Sequence, residues 1–397
     1  MSSLRNGRAG GTPEAATLYL TTPTARAERK LRGALTLAGL EAGEPYPGVI
    51  CVSLTLSQLE KLAADWTKSL GRAELQHTKC RLERPGTQPT PSSLMQTQTL
   101  ESMIAWIDGR WLERLIRDGR LITFFQPIVA TASPGDIYAY ECLLRGTSQD
   151  DQLISPDRLY NAARATGTLQ HLDQEARLTA IRSVAREKLD THAFINFNPR
   201  SIVDPKKCLR SIVDAVQSSG ISAERLVFEV VECEEIDDLP KLLQILDWFR
   251  AAGFRVALDD LGAGYSSLNL LAELKPDFIK LDIGLVRNVH RDYFKSRVAA
   301  KLLELARELG VATVVEGVET EGQWRWAVEH GSNYAQGYLF ARPGQVPPVS
   351  TFSGAPAEDR ERCADDENGD ENGDDAACSA DGEAEPLAAA SSTNHSQ

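Results

Sequence analysis

The stretch RVALDDLGAGYSSL, residues 255–268, sets two carboxylates, Asp259 and Asp260, side by side at the end of an apolar run. A glycine-rich turn follows at once. Such turns after strands commonly cradle phosphates with backbone N–H groups, yet two negative charges at the mouth of the turn repel a bare phosphate. Polar residues recur at the ends of other apolar runs. Glu141 stands in AYECLLR, Asn196 in FINFN, Glu229 and Glu232 in FEVVE, Lys280 and Asp282 in FIKLD, Glu316 and Glu319 in VVEGVE, and Gln336 before GYLF. A lone acid at a strand end is ordinarily solvated or salt-bridged. Six runs repeating the pattern form a constellation. Clustered carboxylates repel one another and resist desolvation, so a cation or protons must neutralise them. An all-oxygen donor set suits a hard cation such as Mg²⁺, Mn²⁺ or Ca²⁺. Adjacent Asp259 and Asp260 can serve two ions with one carboxylate bridging, and two ions about 3.5–4 Å apart clamp a phosphodiester for in-line attack. Lys280 then lies near the attacking water or the developing phosphate charge; a structural salt bridge inside the cluster is the other reading.

These residues need elements that bring them together. The expected strands are ITFFQPIV, AYECLLR, AFINFN, LVFEVVE, RVALDD, FIKLD, ATVVEGVE and AQGYLF. Helical patterns lie between most of them, as at 157–167, 171–188, 240–252, 268–274, 291–309 and 321–330. Strand–helix alternation implies parallel strands with helices outside. About eight such strands fit a (β/α)8-type barrel, whose C-terminal face carries the active site. The polar positions fall on that face.

The rest of the chain divides by composition. Residues 1–15 read as a flexible start and 16–90 as a small α/β module with strands at ATLYLTT and GVICVSL. A third strand is expected within AELQHTKCRLER, and a helix over SQLEKLAADWTKSL capped by Ser57 with Glu60 three residues on. PGTQPTPSS breaks the pattern, so 91–104 reads as linker and lead-in helix. The barrel spans 105–347, and 348–397 reads as a disordered acidic tail. Of the net charge of −13, residues 358–385 carry −11 through thirteen acidic residues and two Arg, leaving about −2 for the remainder. That balance argues against a groove for polymeric nucleic acid. The tail offers an EF-hand frame at Asn368, Asp370, Asn372 and Gly373, but its twelfth position is Ser379, which excludes the motif. The seven cysteines form no CxxC pair, and the six histidines keep no ligand-like spacing with them. Zinc is therefore not indicated, and reduced thiols in a cytosol are. No 18-residue apolar run and no apolar signal core are present, so a cytoplasmic protein without a membrane span is expected.

Eight motifs in order, FFQPIV, ECLLR, NFNP, FEVVE, DDLGAGYSSL, FIKLD, VVEGVET and QGYLFARP, resemble those of EAL domains, the bacterial cyclic-di-GMP phosphodiesterases. The resemblance implies metal-dependent hydrolysis of the second messenger c-di-GMP to linear pGpG, with two Mg²⁺ or Mn²⁺ ions. It implies Glu141, Asn196, Glu229, Asp259, Asp260 and Glu316 as metal ligands. It implies catalytic roles for Lys280, Glu316 and Glu141, and contacts to substrate from Gln126, Arg145 and Gln336. Glu232 matches the residue that steadies the glycine loop, called loop 6, and Gly262 and Gly264 give that loop its freedom. The resemblance also implies a homodimer through the EAL domain, and a regulatory role for the N-terminal module toward an unknown signal or partner. Three positions depart from the pattern: Cys142 where Ala is usual, Val231 for Thr, and Leu261 for Phe. None removes a ligand; Val231 and Leu261 bear on how loop 6 orders. A catalytically silent EAL domain, acting as a c-di-GMP receptor or a protein-interaction module, is the competing reading. No GGDEF-type cyclase motif occurs, and a dinucleotide-binding GxGxxG is excluded by Ser267 in place of the third glycine.

Overall fold

The computed structural model describes residues 15–85, 97–202, 204–231, 238–262, 267–352 and 354; the readings for the first residues and for nearly all of the acidic tail lie outside them. The N-terminal sheet contains β1 (Ala15–Thr21), β2 (Ala42–Tyr46), β3 (Val49–Thr55), β4 (Lys79–Glu83) and β5 (Gln98–Thr99) in the order β2-β3-β1-β4-β5, every pair antiparallel. Helices α1 (Ala25–Leu37) and α2 (Leu56–Ser69) give a split βαβ arrangement. The cap of α2 differs from the sequence reading. Thr55 and Gln58 form the capping box in place of Ser57 and Glu60, because Thr55 keeps the extended φ/ψ that an N-cap requires. The single strand expected over 73–84 is a helix, α3 (Arg72–His77), followed by β4. Glu74 starts that helix by accepting from the Gly71 N–H at 2.9 Å. Helix α4 (Leu100–Gly109) completes this core by burying Leu100, Met103, Ile104 and Ile107 against Leu18, Leu31 and Trp66.

After α5 (Trp111–Arg117), eight strands close a barrel. They are β6 (Leu121–Ala130), β7 (Ser133–Thr147), β9 (His192–Phe197), β10 (Leu226–Val231), β11 (Arg255–Leu261), β12 (Phe278–Leu281), β13 (Ala312–Val315) and β14 (Tyr334–Gln336). The short β8 (Leu153–Ile154) extends β7. The helices outside are α6 (Pro156–Thr166), α7 (Leu169–Arg186), α8 (Pro205–Ser219), α9 (Leu239–Ala251), α10 (Ser267–Leu274), α11 (Ile283–Val286), α12 (Tyr293–Glu308) and α13 (Glu321–Glu329). The expected α/β barrel is present, with local differences: β6 runs antiparallel to both β7 and β14, and the strands expected over ATVVEGVE and AQGYLF stop at Val315 and Gln336. Only residues 131 and 132 join β6 to β7, which suffices for a hairpin and not for a helical crossover.

Two apolar layers follow from the period of two along each strand. Outward residues such as Ile195, Phe228, Leu258, Ile279 and Val315 pack beneath the helices. Inward residues Ile128, Ala139, Phe194, Val227, Ala257, Phe278 and Val314 form a compact plug inside the barrel. The plug gives the polar residues above it a dry floor. No described helix is long and apolar enough to cross a membrane.

Candidate metal centre and active site

Two residues beyond each plug position, the strand again points inward. From Ala139, Phe194, Val227, Ala257, Phe278 and Val314 that step reaches Glu141, Asn196, Glu229, Asp259, Lys280 and Glu316. Tyr334, packed against the plug, leads in the same way to Gln336. On the reversed strand β6 the step runs backward, from Ile128 to Gln126. The eight strands thus supply one polar side chain each to a single ring at one barrel end.

Lys280 stands at the centre of this ring. Its side chain is 1% exposed, and its Nζ lies 2.6 Å from Glu316 Oε1, 2.7 Å from Glu229 Oε1, 3.0 Å from Asp259 Oδ1 and 3.8 Å from Glu141 Oε2. The Glu229 and Asp259 approaches are close by distance but not aligned as hydrogen bonds. Both Glu229 oxygens and Asp259 Oδ1 are therefore buried without a hydrogen-bond partner. Glu141 is held from two sides, by Gln336 Nε2 at 2.6 Å and by Asn196 Nδ2 at 3.4 Å.

Asp259 and Asp260 are consecutive, so a regular strand would send them to opposite faces. The pairing of β11 with β12 slips between Leu258 and Leu261, and Asp260 adopts the left-handed conformation with φ +57°. This bulge brings both aspartates to one side, where oxygen atoms of Asp259, Asp260 and Glu316 lie within 4.8 Å of one another. A non-glycine residue held in this region costs about 1–3 kcal/mol and occurs where the surroundings over-determine it.

The electrostatics follow from burial. Desolvation pushes the Glu229 carboxyl well above its ordinary value, against the pull of Lys280. Desolvation likewise raises Glu316 from 4.5 to about 8, again opposed by Lys280, and raises Asp260 from 3.8 to about 6 with help from the neighbouring Asp259 charge. The Lys280 ammonium is held well above its usual range by Asp259, Glu141, Glu229 and Glu316, which together outweigh its own burial. One cation among five carboxylates leaves the ring short of positive charge. The orphaned oxygens, the clustered carboxylates and the all-oxygen donor set fit a divalent hard cation.

The remaining expected residues fall as follows. Gln126 lies opposite Glu141 in the β6–β7 ladder. Arg145 lies four residues past Glu141, with its guanidinium over Phe124 at 5.5 Å and its Nη1 donating to the Leu144 carbonyl at 2.8 Å. Asp282 faces a different task, capping α11 by accepting from the Gly284 N–H at 2.7 Å. Cys142 packs in the outer core, where burial pushes its thiol upward, and Leu261 is fully buried in the same core. Glu232, Gly264 and the Val231 side chain lie outside the described residues, whereas Gly262 has φ +105°. The sequence reading did not single out a cleft of about 300 Å³ beside the ring, lined by Arg145, Tyr160, Arg164, Asp173, Arg177 and Asn196. Its signal was present: two charged residues, Asp173 and Arg177, sit one turn apart on the buried face of α7.

Residues 109–343 match the EAL domain family. The probable cyclic di-GMP phosphodiesterase PdeG of Escherichia coli K12 is 33% identical over 241 residues, covering 58% of this chain and 46% of that protein. The cyclic di-GMP phosphodiesterase NbdA of Pseudomonas aeruginosa is 30% identical over 250 residues, covering 61% of this chain and 31% of that protein. The chain thus spans less than half the length of these curated relatives. A standalone EAL protein from Vibrio cholerae O395, solved in a c-di-GMP-bound form, has a TM-score of 0.53 at 32% identity, covering 58% of this chain and 95% of that one. A closed barrel with one reversed strand, an acidic ring around a buried lysine and a match over most of the barrel lead to one assignment: the chain belongs to the EAL domain family.

Proposed function

We propose that this chain is a metal-dependent phosphodiesterase that hydrolyses c-di-GMP to linear pGpG in bacterial signalling. The observation that carries the reading is the convergence of Asp259, Asp260 and Glu316 within 4.8 Å beside the Lys280 ammonium. Asp259, Asp260 and Glu316, with Glu141, Asn196 and Glu229 as further oxygen donors, would hold two divalent ions, Mg²⁺ or Mn²⁺. Bound there, such ions supply Lewis acidity at the phosphoryl group and lower the pKa of coordinated water. The residues of the chain do the rest. Gln336 and Asn196 fix the Glu141 carboxylate, so it presents one orientation. Lys280 offers three donors and a charge held in place by its carboxylate neighbours; it orients the water and opposes the negative charge that grows on the phosphate. Glu316 takes up the proton that the water loses. Water adds to phosphorus as the bond to the 3′-oxygen breaks, and the proton taken up by Glu316 is returned to that oxygen, directly or through solvent, so one ester of the ring opens. Gln126 and Arg145 hold the dinucleotide at the rim.

The test is direct. With Mg²⁺, chromatography should show c-di-GMP converted to pGpG, and Glu141→Ala should lower turnover by at least about a thousandfold, as expected for removal of a ligand. Retained turnover in Glu141→Ala would sink the mechanism. Tight binding by the wild-type chain without pGpG in Mg²⁺ would favour the silent receptor.

The chain is also proposed to act as a cytoplasmic homodimer through the EAL domain. Tyr293, Phe294 and Val298 are 72%, 79% and 52% exposed on one end of α12, an apolar face suited to a second copy. Sedimentation velocity should give a dimer for the wild type and a monomer for Phe294→Asp; two equal profiles would remove this face from the contact. The N-terminal module is proposed to be regulatory. Its helix α4 meets α6 so closely that a Cβ on Gly109 would lie 2.9 Å from the Ala162 carbonyl, and α6 also lines the cleft beside the ring.

A further inference from the structure

A second cavity lies at the other end of the barrel from the acidic ring. It measures about 660 Å³, against about 300 Å³ for the cleft beside the ring. Arg255, Phe278, Ala312 and Tyr334 line it, and these are the first residues of β11, β12, β13 and β14. In such barrels the chemistry sits at the C-terminal face, while the N-terminal face ordinarily serves stability. A cavity in the size range of small-ligand sites is out of place there. The apolar plug, which includes Ala257, Phe278 and Val314, separates it from the ring.

Its lining holds three kinds of group. The first is an aromatic wall: Tyr334 stacks on Tyr138 with ring centres 3.9 Å apart, and Tyr138 stacks on His192 at 4.5 Å. The second is a pair of cations, Arg255 and Lys275. The half-buried Arg255 guanidinium lies beside the Tyr138 hydroxyl, which burial raises and this charge pulls back. Burial and the same charge lower His192. Among the described residues neither cation has a carboxylate within ion-pair distance. The third is Asp277, which spends one carboxylate oxygen, Oδ2, on the Val256 N–H at 2.8 Å. A half-buried guanidinium without an anionic partner favours an anion. Inorganic phosphate would leave the aromatic wall unused, and a neutral ring would leave the cations unpaired. A planar ring, a hydroxyl-bearing sugar and a phosphate in one molecule answer all three groups.

We infer that the N-terminal face of the barrel binds a nucleoside monophosphate, with its base against Tyr334, its ribose hydroxyls at Asp277 and its phosphate at Arg255 and Lys275. The inference does not rest on the c-di-GMP reading. The ligand is an effector and not a substrate, since the plug stands between it and the ring. It touches the starts of the strands that end in Asp259, Lys280, Glu316 and Gln336.

Calorimetry of the full chain with adenosine 5′-monophosphate, adenosine and inorganic phosphate tests this. The monophosphate should bind with a Kd of about 1 mM or tighter, and adenosine and phosphate each at least about tenfold more weakly. Arg255→Gln should weaken the monophosphate by roughly tenfold to a hundredfold, the range for a hydrogen bond to a charged group, and leave adenosine unchanged. Lys275→Gln removes the exposed cation and should weaken the monophosphate by about threefold; it carries the test if Arg255→Gln does not fold. Saturating c-di-GMP with Ca²⁺ should leave the monophosphate affinity as it was. No binding at about 1 mM, or affinity unchanged in both variants, would overturn the site. Adenosine or phosphate binding as tightly as the monophosphate would overturn the ligand class. Competition from c-di-GMP would place the monophosphate at the ring and overturn the assignment to the N-terminal face.

Discussion

At the scale of single residues, the site is a balance between desolvation and charge pairing. Lys280 is fully buried, yet four carboxylates stand around it, and its own desolvation is overcome by their combined charge. The acids are less well compensated. Glu316 rises to about 8 and Asp260 to about 6, both chiefly through burial. The sign of the linkage is definite. A carboxyl whose folded value exceeds its unfolded value makes the folded state bind more protons between the two values. Stability from Glu316 is fully present below about pH 4.5 and is lost as pH rises through about 8; for Asp260 the window runs from 3.8 to about 6. Metal-free protein is therefore expected to melt at progressively lower temperature between about pH 5 and 8.5, and Mg²⁺ to raise the melting temperature more at about pH 8.5 than at about pH 6. Calorimetry in chelator and in Mg²⁺ measures both. A melting temperature in chelator that does not change with pH would show that protons do not neutralise the ring.

At the scale of elements, short connections decide whether the carboxylates converge. Glu316 directly precedes Gly317, which has φ +63°, and Asp260 stands two residues before Gly262, which has φ +105°. Helix α11 braces both turns. A Cβ on Gly317 would lie 2.2 Å from Ile283 Cγ1, and one on Gly262 would meet Leu285 at 3.4 Å. The brace is itself tied down: Lys295 Nζ donates to the Gly284 carbonyl at 2.6 Å and Gln323 Nε2 to the Val286 carbonyl at 3.4 Å. Gly317→Ala should thus displace Ile283 and move Glu316. Gly310→Ala provides the control, since Gly310 has φ +71° but a Cβ there would meet nothing within 4 Å. The control should cost only the left-handed backbone penalty, about 1–2 kcal/mol. Gly317→Ala should cost more in urea unfolding and also weaken Mn²⁺ binding. Equal costs with unchanged Mn²⁺ affinity would mean that Ile283 yields without disturbing the ring.

At the scale of the whole molecule, the module core and the barrel meet through α4. Its Met103, Ile104 and Ile107 belong to the N-terminal core, while α5, the next helix, buries Leu112, Leu115 and Ile116 with Leu159 and Leu172 of the barrel. A chain starting at residue 98 would bare the apolar face of α4 and is expected to self-associate; one starting at Arg110 keeps the α5 contacts and is expected to stay dispersed and hydrolyse c-di-GMP. Light scattering and chromatography of the two truncations check this. Equal turnover and oligomeric state in the full chain and the Arg110 truncation would end the regulatory proposal. The sequence by itself determined the barrel class, the acidic and amide positions and the outer helices, because strand and helix periods and the step from plug to rim are local patterns. It did not determine that β2 and α3 form, since AGEPY and AELQHT carry no strong period. It also left open the reversal of β6, the bulge at Asp260, the Gln336–Glu141 bond across 195 positions and the placing of Arg177 beside the ring. Those features exist only when the barrel closes, because closure brings distant strands to one rim and fixes which buried charges find partners.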